Sequence, residues 1–91
     1  MTMIQLLNGY TVHEEFFNII QQQAEEGAPL VNPNMPFKAE MVCGDGLWAV
    51  LSNWERRLAG RCVAYMVVKG ILPFTFDNSK SGPTKWYRIK K

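Results

Sequence analysis

The sequence predicts an α+β domain in which helices come first and a β-hairpin comes last. Two segments, 11–26 and 54–69, carry apolar residues at the spacing of amphipathic helices. After Gly70 the apolar spacing changes to two residues, which is typical of strands. A chain of 91 residues normally forms one domain. We therefore expect 1–91 to fold as a single α+β domain.

A capping pattern predicts where the first helix begins. Residues 1–10 form an N-terminal segment whose apolar stretch predicts a strand or a first helical turn, and Asn8-Gly9 breaks it. Thr11 and Glu14 have the spacing of a capping box, in which the hydroxyl accepts a backbone N–H and the carboxylate reaches back. We expect the helix to begin at Thr11 and to stop at Gly27, since glycine is common just past helix C-termini.

The middle of the chain carries shorter signals. Residues 28–36 contain three prolines and are expected to form an extended connector. Residues 37–51 form a second helical region, which the run Gly44-Asp45-Gly46 interrupts. A short helix is therefore expected on each side of that run.

The longest helical pattern is the third one, over 54–69. Asn53 suits its N-cap, and Gly70 suits the residue just past its end. One arc of this helix is apolar and is expected to face the core, namely Leu58, Ala59, Cys62, Tyr65 and Met66. The opposite arc carries Arg57, Gly60, Arg61 and Ala64, with Arg56 at its edge.

A hairpin is predicted over 71–89. Residues 71–76 and 84–89 are rich in aromatic and β-branched side chains, as strands are. The polar, glycine- and proline-containing run 77–83 lies between them and is expected to be the loop.

Charge is distributed unevenly along the chain. Residues 1–53 contain one basic and six acidic residues, a net charge of −5. Residues 54–91 contain nine basic and two acidic residues, a net charge of +7. A basic half of this kind is typical of a protein with a polyanionic partner. The alternative is that the two halves neutralise each other in the fold.

Several function classes lack the residues they need. The two cysteines, Cys43 and Cys62, and the single histidine, His13, are too few and too far apart in sequence for a zinc site, and Cys62 lies in a core pattern. No nucleophile or paired carboxylate accompanies His13, so we expect no catalysis and no cofactor. The longest apolar run, 62–68, is too short to cross a bilayer, and no signal sequence opens the chain. We expect a cytoplasmic location and no membrane partner.

The order of the elements resembles a winged helix-turn-helix domain. The stretch RLAGRCVAYMVVKGILPFTF is similar to a recognition helix that runs into the first wing strand, and SGPTKWYRIKK is similar to a wing tip with its second strand. MPFKAEMV occupies the place of the second helix. The chain is thus similar to the small winged-helix proteins of bacteriophages and mobile elements, which have three helices and a C-terminal wing. The link 43–53 is longer than the tight turn of the standard motif.

This resemblance implies contact with double-stranded DNA. The third helix would lie in a major groove and present Asn53, Arg56, Arg57, Gly60 and Arg61 to it. The wing would place Lys80 and Lys85 against phosphates. The function implied is that of a phage-type regulator or replication accessory factor, acting as a monomer or weak homodimer.

The same residues have other interpretations. Gly60 and Ala64 would also let another element pack tightly on the helix, and the arginines would also suit a solvated face or ion pairs with the acidic first helix. A second hypothesis is a winged-helix module that binds a host or phage protein without DNA contact. Exposure of Trp48 or Phe37 in an apolar patch would favour that hypothesis.

Overall fold

The computed structural model describes residues 2–78, 82 and 84–90. Within them the chain forms four helices and two antiparallel hairpins, which confirms the α+β class. In chain order the elements are β1 (Met3–Gln5), β2 (Thr11–His13), α1 (Glu14–Gly27), α2 (Ala39–Cys43), α3 (Asp45–Val50), α4 (Asn53–Val68), β3 (Phe74–Asp77) and β4 (Trp86–Ile89). None of the helices in the described ranges has the length and apolar character needed to span a membrane.

An N-terminal hairpin replaces the predicted start of the first helix. β1 and β2 pair antiparallel, with Met3 opposite His13. Thr11 is therefore a strand residue, and the predicted capping box with Glu14 is not formed. The prediction that the helix begins at Thr11 was wrong, because strand pairing and the burial of Val12 hold these residues in an extended conformation.

The end of α1 is set by close packing. Gly27 is the last helical residue and has a right-handed backbone, with φ −80° and ψ −21°. A Cβ at this position would lie 1.8 Å from the carbonyl oxygen of Val42 in α2. The glycine was predicted from its preference for the residue after a helix; it is instead needed because α2 approaches the helix end so closely.

The second helical region consists of two helices separated by one residue. Gly44, with φ +93°, adopts a conformation that favours glycine and divides α2 from α3. Asp45 already belongs to α3, so the interruption is shorter than predicted. Phe37 precedes the helix and forms a two-way backbone bridge with Tyr87, each N–H donating to the other carbonyl at 2.8 Å. This bridge ties the segment before α2 to the C-terminal hairpin.

α4 spans nearly the predicted range, but its cap differs. Ser52 is the N-cap: its hydroxyl accepts from the Glu55 N–H at 3.2 Å, and its own N–H donates to the Glu55 carboxylate at 2.9 Å. The prediction that Asn53 caps the helix was wrong, because Asn53 is already the first helical residue. Gly70 has φ +74°, as expected for a glycine just past a helix end.

The C-terminal hairpin is confirmed, with shorter strands than predicted. β3 and β4 pair from Phe74 opposite Ile89 to Asp77 opposite Trp86. Arg88 forms an ion pair with Asp77 across the two strands. Part of the predicted 77–83 loop lies outside the described residues.

The core lies between α1, α2, α4 and the C-terminal hairpin. From α4 it takes Ala59, Cys62 and Met66 as predicted, together with Val63 and Ala64. Ala64 shares the outer arc with Gly60 and Arg61, as the helical spacing predicts, but it is only 4% exposed. Phe37 packs edge-on against Phe74 with ring centroids 4.9 Å apart, which joins the hairpin to this core.

Candidate functional site

One face of α4 forms the floor of an open groove. Its walls come from the C-terminal hairpin, the start of α2, the end of α3 and the segment after β1, and it encloses about 510 Å³. The lining residues are Leu7, Lys38, Ala39, Glu40, Trp48, Arg56, Arg57, Gly60, Arg61, Ala64, Phe76, Thr84, Lys85 and Tyr87. The α4 residues among them recur at intervals of three and four residues, from 56 and 57 through 60 and 61 to 64, so a single helix face provides the floor.

The groove is strongly basic. Of the described residues that line it, five are cationic (Lys38, Arg56, Arg57, Arg61 and Lys85) and one is acidic (Glu40). Within the described ranges, no ion pair joins the acidic α1 to these arginines. The interpretation in which the two halves of the chain neutralise each other through such pairs therefore gains no support. A cleft lined by one sign of charge concentrates counter-ions of the opposite sign.

Arg56 has a structural contact in the groove. Its Nε donates to the backbone carbonyl of Trp48 at 3.0 Å, in a part-buried position. This bond links the beginning of α4 to α3. The ion pair with the acidic first helix that the sequence allowed is not the contact Arg56 makes; its partner is a backbone carbonyl, which also accepts from the Leu51 N–H at 3.3 Å.

Arg61 and Arg57 differ in their surroundings. The Arg61 guanidinium lies 3.9 Å from the centroid of the Tyr10 ring, a cation–π contact that leaves the side chain half-buried. The position of Arg57 and Arg61 on the arc opposite the core predicts that both are exposed; for Arg61 this was wrong, because the loop before β2 reaches over it. Arg57 is exposed as predicted. The groove thus combines one oriented guanidinium with one that is free to adapt.

Gly60 lies on the floor without a structural reason for being glycine. Its backbone is ordinary α-helix. Apart from its neighbours and helix backbone, no described atom lies within 4 Å of the Cβ that it lacks. The interpretation that another element packs tightly on Gly60 is therefore wrong. Glycine within a helix costs about 1 kcal/mol relative to alanine, and here the fold shows no compensating contact.

An aromatic side chain stands on the hairpin wall. Phe76 is 37% exposed, and its ring leans against that of the buried Tyr87 with centroids 5.4 Å apart. The Lys85 ammonium lies 5.9 Å from the Phe76 ring. Trp48 adds a second, half-buried ring at the α3 end of the groove. The lining therefore contains both cationic and aromatic side chains.

The structure brings together five of the seven residues singled out from the sequence: Arg56, Arg57, Gly60, Arg61 and Lys85. Asn53 is exposed in the first turn of α4 and does not line the groove. Lys80 lies outside the described residues. Lys38 and Phe76 were missed, because no local pattern indicates that they lie beside α4; they are brought there by the Phe37–Tyr87 bridge and by the hairpin register.

The cysteines contribute to the core and not to the groove. Both thiols are free and buried, and burial raises the pKa of Cys43 to about 11 and that of Cys62 to about 12. They are neutral at physiological pH, so neither is a ready nucleophile or metal ligand. Among residues 2–78, 82 and 84–90, no cluster of three histidine, cysteine or acidic side chains could hold a metal ion.

Comparison with protein-family models, with curated proteins and with solved structures finds no match to the chain. Its function is therefore argued from the groove itself.

Proposed function

We propose that this chain is a small DNA-binding protein of winged-helix type, and that the basic groove is its DNA contact. One observation carries the proposal: residues chosen from two separate elements, α4 and the C-terminal hairpin, line a single groove with four more positive than negative side chains. Adjacent basic helix and hairpin surfaces are what a winged-helix protein would use on DNA.

The lining residues would make different kinds of contact with DNA. Arg57 is exposed and would contact phosphates or base edges by adjusting its side chain. Arg61 is held by Tyr10 and would offer a fixed guanidinium fork. Lys38, whose ammonium lies 5.5 Å from the Trp86 ring, and Lys85, the chain neighbour of Trp86, would pair with phosphates as point charges. Most of the affinity would then come from counter-ion release and would fall as salt rises.

A charge reversal on α4 tests the proposal. The double variant Arg57→Glu with Arg61→Glu should bind DNA about a hundredfold more weakly, since each lost contact removes ~1–3 kcal/mol. Binding is measured by fluorescence anisotropy in low salt, on a random duplex pool and on its separated strands. Thermal melting checks the fold, and a modest loss is expected because the Arg61–Tyr10 contact disappears.

The matched control places the same charge change elsewhere. Lys69→Glu with Lys90→Glu also takes the net charge from +2 to −2, but both side chains are exposed and neither lines the groove. This control should retain most of the binding. Equal losses in the two double variants would mean that net charge matters and the groove does not. No binding of the parent protein to either form of DNA in low salt would end the proposal.

The protein-interaction hypothesis is the second candidate from the sequence. It was tied to exposure of Phe37 or Trp48, but Phe37 is 1% exposed and Trp48 is half-buried. Both pack into the fold, so neither supplies the apolar patch that such a module needs. The observations favour the DNA proposal.

A further inference from the structure

We propose that the basic groove takes single-stranded nucleic acid, with the strand passing over Gly60 and a base stacking on Phe76. This inference rests on the proposed function, in which the groove contacts DNA, and it replaces major-groove insertion of α4 by a different mode of binding.

The cationic face of α4 lines a concave surface together with residues of other elements. A helix with its side chains is about 10–12 Å across and fills a major groove about 12 Å wide, so a recognition helix has to protrude. Here the cationic face of α4 is a floor between walls that carry Leu7, Lys38 and Phe76. Those walls would meet the phosphate backbones before the floor reached the base edges. A single strand is narrow enough to enter.

Open space lies above Gly60. A Cβ there would have no described atom within 4 Å apart from its neighbours and the helix backbone, and glycine weakens the helix without improving the packing. Its effect is to lower the floor between Arg57 and Arg61, the two guanidinium-bearing side chains nearest to it in sequence. A ligand backbone can therefore approach α4 closely while both guanidinium groups reach its phosphates.

The chemistry of the lining suits a nucleotide. Nucleotides combine negative phosphates with planar apolar bases, and the groove combines cations with the partly exposed Phe76 ring. Lys85, whose ammonium lies near that ring, is placed to contact a phosphate next to a stacked base. Stacking accepts every base, so binding should show little sequence preference. An acidic peptide would satisfy the charge but would make no use of a stacking surface.

The test compares how tightly the unmodified protein binds single-stranded and duplex DNA. The probes are a fluorescein-labelled oligothymidylate of about 15 nucleotides, which covers the usual site sizes, and a mixed-sequence duplex of equal length. The single strand should bind about tenfold more tightly than the duplex in low salt. Free thymidine monophosphate and polyglutamate serve as competitors, and both should be weak.

A substitution on the groove floor tests the site. Gly60→Leu should weaken oligothymidylate binding about tenfold by occupying the strand's path, while the melting temperature stays equal or rises because leucine is a good helix former. Asn18→Leu, on the exposed surface of α1, is the control and should bind normally. If the leucine variant melts lower than the parent, Gly60→Gln is the second variant, with the same expected loss of binding.

The outcomes separate the two proposals. A duplex bound as tightly as the single strand overturns this inference and leaves the proposed function standing. Normal binding by the folded Gly60 variants also overturns the inference. Competition by polyglutamate at the same charge concentration as the oligonucleotide assigns the groove to an acidic peptide. If neither nucleic acid binds, the proposed function itself fails.

Discussion

Two glycines in this chain have opposite relations to the fold. At Gly27 an added Cβ would lie 1.8 Å from the Val42 carbonyl oxygen, so α1 and α2 can meet only if that position has no side chain. At Gly60 an added Cβ would enter open space above the groove floor. Both residues have right-handed helical backbones, so the difference comes from their surroundings alone.

Alanine at each position should change stability in opposite directions. Gly27→Ala should lower the free energy of unfolding by about 2 kcal/mol, the cost of overpacking two backbones. Gly60→Ala should raise it by about 0.5–1 kcal/mol through helix propensity. Urea unfolding followed by circular dichroism measures both. A higher free energy of unfolding for Gly27→Ala, or a lower one for Gly60→Ala, would contradict this packing.

At the scale of elements, the cap of α4 determines where the groove floor begins. Ser52 and Glu55 exchange hydrogen bonds immediately before Arg56 and Arg57. These bonds, first to the backbone and then to the side chain of Ser52, hold the pKa of the Glu55 carboxyl below its usual value of 4.5. The carboxylate form is therefore the one that caps the helix.

Ser52→Ala should lower the free energy of unfolding by about 1 kcal/mol. The Glu55 N–H loses the hydroxyl that accepts from it, and the Glu55 carboxylate is no longer held in place to accept from the N–H of residue 52. The ionised Glu55 carboxylate contributes to the free energy of unfolding above its ordinary pKa of 4.5. That contribution is lost as the pH falls through the lowered pKa of the folded state. The gap between the parent and Ser52→Ala should therefore narrow in acid. Asn53→Ala is the control, with a change within about 0.5 kcal/mol. A larger loss of stability for Asn53→Ala than for Ser52→Ala would mean that Asn53, and not Ser52, caps the helix.

At the scale of the whole molecule, three titratable groups from separate parts of the chain meet in the core, and each resists ionisation there. Cys43 comes from α2, Cys62 from α4 and Tyr87 from β4, and all three are buried. Burial raises the pKa of each, and the proximity of Cys43 raises those of Cys62 and Tyr87 further. Ionising any of them in the folded state would put a charge into the centre of the protein.

Stability should therefore fall in alkali. The folded pKa values of the thiols, about 11 and about 12, lie above their ordinary value of 9.0. The contribution of the neutral thiols to the free energy of unfolding is complete below pH 9. It is lost as the pH rises through the pKa values of the folded state, because the thiols of the unfolded chain lose their protons first. Urea unfolding across this range measures the loss. Cys43→Ala with Cys62→Ala should be less stable at neutral pH but should show a shallower alkaline decline; an equally steep decline would exclude the thiols as its cause.

Elements whose signals are local could be predicted from the amino-acid sequence. Three signals predicted α4 and the C-terminal hairpin nearly as they are found: the helical spacing over 54–69, the glycine just past it at Gly70 and the change to alternating spacing afterwards. The sequence also placed Arg57, Gly60 and Arg61 on one side of α4, because residues three and four apart in a helix share a face. These features depend only on neighbours along the chain.

Which partner each of these faces meets depends on the packing of distant segments, and it could not be predicted from local patterns. Thr11 became a strand residue because β1 pairs with it, and Gly27 is required because α2 approaches it. Arg61 is half-buried because Tyr10, distant in sequence, stacks on it. Lys38 joins the groove because the neighbouring Phe37 forms a bridge to Tyr87. Contacts between segments far apart in sequence depend on how whole elements pack, and local periodicity carries no information about that packing.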